Sequence, residues 1–96
     1  MNKYVFLFVG FTKPTPEIMQ SWMQWMKSVE GKIADMGNGL GRGKEVTRNG
    51  VTELPMGLDA ITAYMVFNAE NMEEAEKIAA SCPMITSVKI YEVRRG

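Results

Sequence analysis

Apolar residues recur along the chain with two different periods, which predict strands and helices in turn. Residues Tyr4 to Val9 are all apolar, a pattern typical of a strand that is covered on both faces. From Pro16 onward the period becomes three to four residues, which predicts an amphipathic helix whose apolar stripe consists of Ile18, Trp22, Trp25, Met26 and Val29. Thr15 and Pro16 provide the start of this helix, and Gly31 provides its stop.

Glycines dominate the next segment and weaken its strand signal. A strand could begin at Lys32 to Asp35, but glycine then stands at every second position from Gly37 to Gly43, which predicts a mobile turn. We also consider this turn as a flexible lid over a ligand cleft. Glu45 to Thr47 and Val51 to Leu54 flank the pair Asn49-Gly50, which favours a tight turn and predicts a short β-hairpin.

The second half of the chain repeats the order strand, helix, strand. Ala60 to Ala69 predicts a long strand with few polar residues on either face. Asn71 and Glu74 have the spacing of a helix N-cap and its partner, and Pro83 ends the helix that follows. The buried stripe of this helix consists of Ala75, Ile78, Ala79 and Cys82. Ser87 to Val93 is the last predicted strand.

The order of these elements predicts an α+β fold of the ferredoxin-like type, with the split βαβ arrangement, an antiparallel sheet and two helices on one face. All 96 residues form a single domain in this interpretation. The other face of the sheet, apolar along Tyr4 to Val9 and Ala60 to Ala69, would then lie exposed. Two sheets packed face to face would bury this surface, which predicts a homodimer.

Charge and cysteine content narrow the classes of partner. Eleven basic and eleven acidic side chains cancel, so we expect no nucleic-acid partner. Two local basic groups are interpreted as solvated surface: Arg42, Lys44 and Arg48 near the hairpin, and Arg94 with Arg95 at the C-terminus. Without histidine, and with Cys82 as the single cysteine, we expect neither a disulfide nor a metal or other cofactor. No apolar run is long enough for a membrane helix, which favours the cytoplasm.

Short motifs along nearly the whole chain resemble the YCII-related, or DGPF-type, family of small dimeric α+β barrel proteins. In chain order, these motifs are Lys3-Tyr4-Val5-Phe6-Leu7-Phe8, Pro16-Glu17 with Trp22 and Trp25-Met26, Asp35-Met36-Gly37, Ala63-Tyr64-Met65-Val66, Met72-Glu73-Glu74-Ala75, Ala80-Ser81-Cys82-Pro83 and Glu92-Val93-Arg94. The resemblance implies a subunit that pairs as a dimeric α+β barrel. The chain departs from the family where Glu53-Leu54-Pro55-Met56 replaces Asp-Gly-Pro-Phe, and it lacks a histidine for the His-Asp pair that one branch uses in elimination chemistry.

The absence of histidine leaves carboxylates as the candidates for general acid–base catalysis. Glu53 and Asp59 flank Pro55 and Met56 in a segment that we expect at the rim of a dimer cleft. Asp35 matches a family position and precedes the glycine-rich turn. The alternative interpretation is structural, because a loop glutamate such as Glu53 is usually solvated and Asp35 is placed to cap the turn with its own side chain.

The favoured function is the binding of a small apolar or aromatic molecule in a cleft between the sheet and the helices. Trp22, Trp25 and the nine methionines are candidates to line this cleft, and the alternative is that residues at helical spacing belong to the core. The candidate ligand-binding residues are Phe11, Trp22, Asp35, Asn38, Arg42, Glu53, Met56 and Tyr64. Arg42 is the candidate partner for an anionic group. Two alternatives stay open: a non-enzymatic protein-interaction module, and a metal-independent lyase or monooxygenase-like enzyme that uses Glu53 or Asp35.

Overall fold

The computed structural model describes residues 1–94, which form two helices and six strands. The strands are β1 (Asn2–Val9), β2 (Ile33–Gly39), β3 (Gly43–Thr47), β4 (Gly50–Leu54), β5 (Ile61–Ala69) and β6 (Ser87–Glu92). The helices are α1 (Pro16–Ser28) and α2 (Met72–Ala80), and a 3₁₀ turn over Glu30–Lys32 follows α1. Neither helix in this part of the chain has the length and apolar character needed to cross a bilayer. Arg95, interpreted above as solvated, lies outside the described residues.

Four strands form one antiparallel sheet in the order β2-β5-β1-β6, and β3 and β4 form a separate two-stranded sheet. β1 is a central strand, in which Phe6 pairs with Met65 of β5 and with Ile90 of β6. Each half of the chain therefore contributes one central and one edge strand, as the split βαβ arrangement requires. The predicted α+β fold is confirmed.

The core lies between one face of the sheet and the two helices. Tyr4, Phe6 and Phe67 are the largest side chains that are fully buried, and the ring centroids of Phe6 and Phe67 are 4.4 Å apart. Trp25 of α1 packs on Phe67 with a centroid distance of 5.7 Å. Its indole N–H donates to Ser81 Oγ at 2.9 Å. Aromatic packing thus joins α1 to the sheet, and one hydrogen bond joins it to the end of α2.

Both helices begin with the caps that the sequence predicts. Thr15 Oγ1 accepts from the backbone N–H three residues later at 3.2 Å, and Asn71 Oδ1 accepts from that of Glu74 at 2.9 Å. The Glu74 carboxylate in turn accepts from the Glu70 backbone N–H and pairs with Lys32 at 3.3 Å. The Glu70 N–H first, and Lys32 second, hold the pKa of Glu74 below its ordinary value.

β2 continues into the glycine-rich segment, so the predicted mobile turn from Gly37 to Gly43 is wrong for its first part. After a bulge, residues 38–39 pair again with β5. Gly37 has a φ angle of 63°, which glycine adopts without the steric cost that a Cβ would bring. Glycine at this position therefore accommodates the bulge rather than ending the strand. Only residues 40–42 connect β2 with β3.

β3 and β4 form the predicted hairpin, a separate arm that is exposed along nearly its whole length. Val46 and Val51 stand opposite each other across this hairpin arm and are 75% and 62% exposed. Lys44 Nζ and Glu53 Oε1 form an ion pair at 3.4 Å. An exposed ion pair of this kind contributes little stability, so the arm has weak support from its own side chains.

The sheet face opposite the helices carries apolar side chains that no helix covers. Tyr4, Phe6 and Phe8 of β1 are buried in the core. Strand alternation therefore directs Val5 and Leu7 to the open side of the sheet. Tyr64 and Val66 of β5 lie on the same face for the same reason. Tyr91 pairs with Val5 and is 60% exposed. We call the surface formed by Val5, Leu7, Tyr64, Val66 and Tyr91 the open face.

Candidate functional site

A cavity of about 660 Å³ lies between α1 and the sheet. Its walls come from α1, from β1 and the loop that follows it, from β2 and β5, and from the segment that leads into β6. Small-molecule pockets typically have volumes of about 300–1,000 Å³. The cavity is therefore large enough for a ligand of one or two rings.

Trp22 provides the aromatic wall of the cavity. Its ring meets Phe8 edge to face at a centroid distance of 5.4 Å and meets Trp25 in the same way at 5.6 Å. Such edge-to-face contacts are favourable for aromatic rings and fix their orientation. The apolar stripe of α1 therefore contributes to both the core and the cavity: Trp25 is buried in the core, and Trp22 lines the cavity.

Methionines form much of the remaining wall. Six of the nine methionines of the chain line the cavity: Met19, Met23, Met26, Met36, Met65 and Met84. Met65 is buried in the core, whereas Met19, Met23 and Met36 are each more than half exposed. Methionine is unbranched and polarisable, so it adapts to ligands of different shape. The cavity thus combines a fixed wall at the sheet with an adaptable wall at its mouth.

No Asp, Glu, Lys or Arg among residues 1–94 lines the cavity. The polar residues in its wall are Thr12, Asn38, Thr62, Tyr64 and Ser87. Thr62 Oγ1 already donates to the Gly10 carbonyl at 3.0 Å, and Asn38 Nδ2 donates to the Tyr64 hydroxyl at 3.3 Å. A charged group bound against this wall would lose part of its hydration without gaining a charged partner. The site therefore suits ligands without net charge.

Four of the eight residues predicted to bind a ligand line the cavity: Phe11, Trp22, Asn38 and Tyr64. Asn38 and Tyr64 stand opposite each other in β2 and β5. Because Met65 faces the core, strand alternation directs the Tyr64 side chain to the open face, and its partner Asn38 with it. Phe11 and Trp22 are thus the predicted residues whose rings contribute to the cavity on the side of α1.

Asp35 lies outside the cavity and has the structural role that we weighed as its alternative. Its Oδ1 accepts from the Gly37 backbone N–H at 2.8 Å. An aspartate that bonds to the backbone two residues ahead stabilises a local turn. Asp35 therefore holds the bulge of β2 in place.

Arg42, Glu53 and Met56 also lie outside the cavity of a single chain. Arg42 is exposed in the connection between β2 and β3, and Glu53 is exposed in the hairpin arm. Met56 follows the arm and is 38% exposed. The arm forms its own sheet, so it does not bring these side chains to α1. Their role in a cleft shared with a second chain stays a prediction.

Cys82 is buried in the core at the end of α2, as its place on the helical stripe predicts. Burial raises the pKa of its thiol to about 11, so the thiol is neutral near pH 7 and is a poor nucleophile. Cys82 does not line the cavity. Within residues 1–94, no three His, Cys, Asp or Glu side chains come together in a way that could hold a metal ion.

Part of the cavity wall was not identified from the sequence. The segment before β6 contributes Met84 and Ile85, and the loop after β1 contributes Gly10. A Cβ on Gly10 would come within 2.8 Å of the Ile85 side chain, so glycine permits the close approach of these two segments. The high methionine content was the one sequence signal that pointed to Met84. Gly10 gave no such signal, because a glycine after a strand predicts a turn as readily as a close contact between segments.

No protein-family model matches the chain, and no curated protein matches it in sequence. Among solved structures, the chain is similar to 5-chloro-2-hydroxyhydroquinone dehydrochlorinase from Burkholderia phenoliruptrix AC1100 in complex with 2,5-dihydroxybenzoquinone. The TM-score is 0.60 at 12% sequence identity, and the match covers 98% of this chain and 95% of the dehydrochlorinase chain. At this identity the likeness establishes a shared α+β fold and nothing about activity.

Proposed function

We propose that this protein binds a small apolar or aromatic molecule in the cavity between α1 and the sheet. The observation that carries the proposal is the composition of the wall, in which aromatic and methionine side chains predominate and no lining residue among residues 1–94 is charged. Transfer of apolar ligand surface from water into such a cavity is favourable by about 25 cal/mol per Å². The large volume and the adaptable methionines favour a ring system over a short aliphatic chain.

The dehydrochlorinase that shares the fold is solved with a dihydroxybenzoquinone, which supports a planar ring as the ligand. Its reaction is not carried over to this chain, because Asp35 and Glu53 lie outside the cavity and the chain has no histidine. Motif resemblance and the shared fold together support membership of the YCII-related family. Location in the cytoplasm stays a prediction from the sequence.

Thermal unfolding with two uncharged aromatic probes, isopropylnaphthalene and methyl naphthyl ketone, tests the proposal. A ligand that binds only the folded protein stabilises it by about 2.7 kcal/mol at a free concentration of 100 times Kd. In a domain of this size each kcal/mol raises Tm by about 4–8 °C. We expect at least one probe to raise Tm in proportion to the logarithm of its concentration.

Two phenylalanine variants locate the binding site. Ala63→Phe adds a ring to a cavity-lining position of β5 and should remove most of the shift by filling the space. Ala80→Phe makes the same change at an exposed position of α2 and should retain the shift. If no probe alters Tm, the binding proposal is wrong, and an interaction module becomes the better interpretation.

We also propose that the protein is a homodimer in which the open faces of two chains pack together. The half-buried apolar side chains of β1 and β5 support this proposal, since an uncovered apolar surface on a sheet usually marks an interface. Sheets that pack face to face lie about 10 Å apart with interdigitated side chains. Such packing would leave α1 and the cavity on the outer side of each chain.

Replacing Leu7 with lysine is expected to convert the dimer into a monomer. Leu7 lies in β1 on the open face, where a charge would be desolvated in the dimer without a partner. Sedimentation velocity would measure the change, with Leu58→Lys as the control, because Leu58 is 60% exposed in the β4–β5 connection. A wild-type protein that sediments as a stable monomer at all concentrations would rule out this assembly.

A further inference from the structure

We infer that the Trp22 indole N–H is the hydrogen-bond donor of the cavity, and that the ligand is an uncharged aromatic molecule with an acceptor oxygen, such as a ketone. This inference rests on the proposed binding function and adds the polar feature by which the site would recognise its ligand. It also assigns different roles to the two tryptophans of α1.

The two indoles differ in how their N–H groups are satisfied. The Trp25 N–H donates to Ser81 Oγ at 2.9 Å. Trp22 makes ring contacts with Phe8 and Trp25, but no atom of residues 1–94 accepts from its N–H. Since no side-chain polar atom in that part of the chain is both fully buried and unsatisfied, the Trp22 N–H is accessible. Because Trp22 lines the cavity, an accessible N–H without a protein partner is available to a ligand bound there.

The other polar side chains of the wall are less suited to this role. Asn38 and Tyr64 bond to each other and are directed to the open face. Thr62 bonds to backbone carbonyl groups, and Thr12 is exposed in the loop after β1. Val88, the residue after Ser87, packs against the core. Strand alternation therefore directs the Ser87 side chain to the opposite face of the sheet, away from α1. On the side of α1, the Trp22 indole is the polar side chain best placed to meet a bound ring.

The chemistry of an indole N–H restricts the ligand. It donates and cannot accept, so the matching ligand atom is an oxygen or nitrogen acceptor rather than a hydroxyl hydrogen. The uncharged wall disfavours a carboxylate, because a single neutral donor does not compensate for the lost hydration of an anion. Arg42 lies outside the cavity of a single chain, so its expected contact with an anionic group stays a prediction for a cleft shared with a second chain.

Three probes of similar shape test the inference by calorimetry: methyl naphthyl ketone, isopropylnaphthalene and naphthoate. The ketone carries an acceptor, the hydrocarbon has none, and naphthoate carries a charge. For the wild-type protein we expect naphthoate to bind roughly 100 times more weakly than the ketone. We also measure the ratio of ketone affinity to hydrocarbon affinity in each variant. Comparing this ratio between variants cancels the effect of the different water solubilities of the two probes.

Trp22→Phe keeps an aromatic ring and removes the N–H. We expect the ketone-to-hydrocarbon affinity ratio to fall roughly tenfold in this variant, which corresponds to one hydrogen bond. Trp25→Phe makes the same change outside the cavity and should leave the ratio unchanged. A measurement on the wild-type protein gives independent evidence, since the infrared carbonyl stretch of the bound ketone should lie at lower frequency than in hexane.

The outcomes separate this inference from the proposed function. If none of the probes binds to the wild-type protein, the proposed function itself fails. If the uncharged probes bind but the affinity ratio is the same in Trp22→Phe, and the carbonyl stretch matches that in hexane, the cavity binds aromatic rings and Trp22 is not its donor. Naphthoate binding as tight as that of the ketone would overturn the restriction to uncharged ligands.

Discussion

Replacing Phe67 with alanine is expected to lower the free energy of unfolding by about 3–5 kcal/mol. Phe67 is fully buried in the C-terminal half of β5, where its ring contacts those of Phe6 and Trp25. Truncation would remove contacts with both rings and leave a cavity that the surrounding strands cannot close. A domain of this size has a free energy of unfolding of about 5–15 kcal/mol, so this single change would remove a large fraction of the total stability.

Urea denaturation at a fixed protein concentration measures this loss, and the fixed concentration is needed because dissociation of a dimer would also affect the midpoint. Leu58→Ala is the matched control. Leu58 is 60% exposed, so its truncation should change the free energy of unfolding by no more than about 0.5 kcal/mol. A Phe67→Ala protein as stable as the Leu58→Ala protein would show that the aromatic core described above is not the one that stabilises the fold.

Replacing Gly37 with alanine is expected to destabilise the protein by about 2–6 kcal/mol, the sum of backbone strain and overpacking. Gly37 has a φ angle of 63°, and a Cβ at this position would overlap with the Tyr64 backbone carbonyl. Backbone cannot move aside as a flexible side chain does, so β2 would have to separate from β5. Since Gly37 also lines the cavity, binding of the aromatic probes should weaken in the same variant.

Gly31→Ala is the control for this prediction. A Cβ on Gly31 would meet no atom within 4 Å, and alanine restricts the unfolded chain more than glycine does. We therefore expect Gly31→Ala to be neutral or to stabilise the protein by up to about 1 kcal/mol. If urea denaturation found both variants equally stable, the bulge of β2 would have to differ from the one described.

Local patterns in the sequence were sufficient for the elements, and particular residues show why. The apolar stripe of α1 repeats within one helix, and the caps Thr15 and Asn71 act on backbone groups three residues away. Such short-range signals are readable from the chain itself. The split βαβ arrangement followed from the order of the elements, and the observed strand order β2-β5-β1-β6 is consistent with it.

Features that depend on contacts between distant segments were harder to predict. The bulge at Gly37 is defined by the hydrogen bond that the Gly37 N–H donates to Asp35 Oδ1 and by the position of Tyr64 in β5. Glycine spacing alone therefore suggested a turn where a strand continues. The cavity combines Trp22 with residues more than 60 positions away, such as Ile85. Helical periodicity identified Trp22 as apolar but could not distinguish a core position from a cavity wall.

The partners of the catalytic candidates were only partly predictable. Asp35 was weighed because it matches a family position and precedes the glycine-rich turn, and its bond with the Gly37 N–H agrees with the turn-capping alternative. Glu53 was weighed as a carboxylate in a segment expected at a cleft rim, and its ion pair with a lysine of the hairpin arm was not predicted. Sequence identifies the residue type, whereas a partner on another strand is known only from the fold.

A crystal structure of the wild-type protein, grown with saturating methyl naphthyl ketone, would show whether an uncharged aromatic molecule binds between α1 and the sheet, against Trp22. We expect density for one ketone per chain in the cavity, with its ring beside Trp22 and Phe11 and its oxygen within hydrogen-bond distance of the Trp22 indole N–H. If methionine side chains fill the cavity, or if the ketone binds only on the open face, the proposed site is wrong.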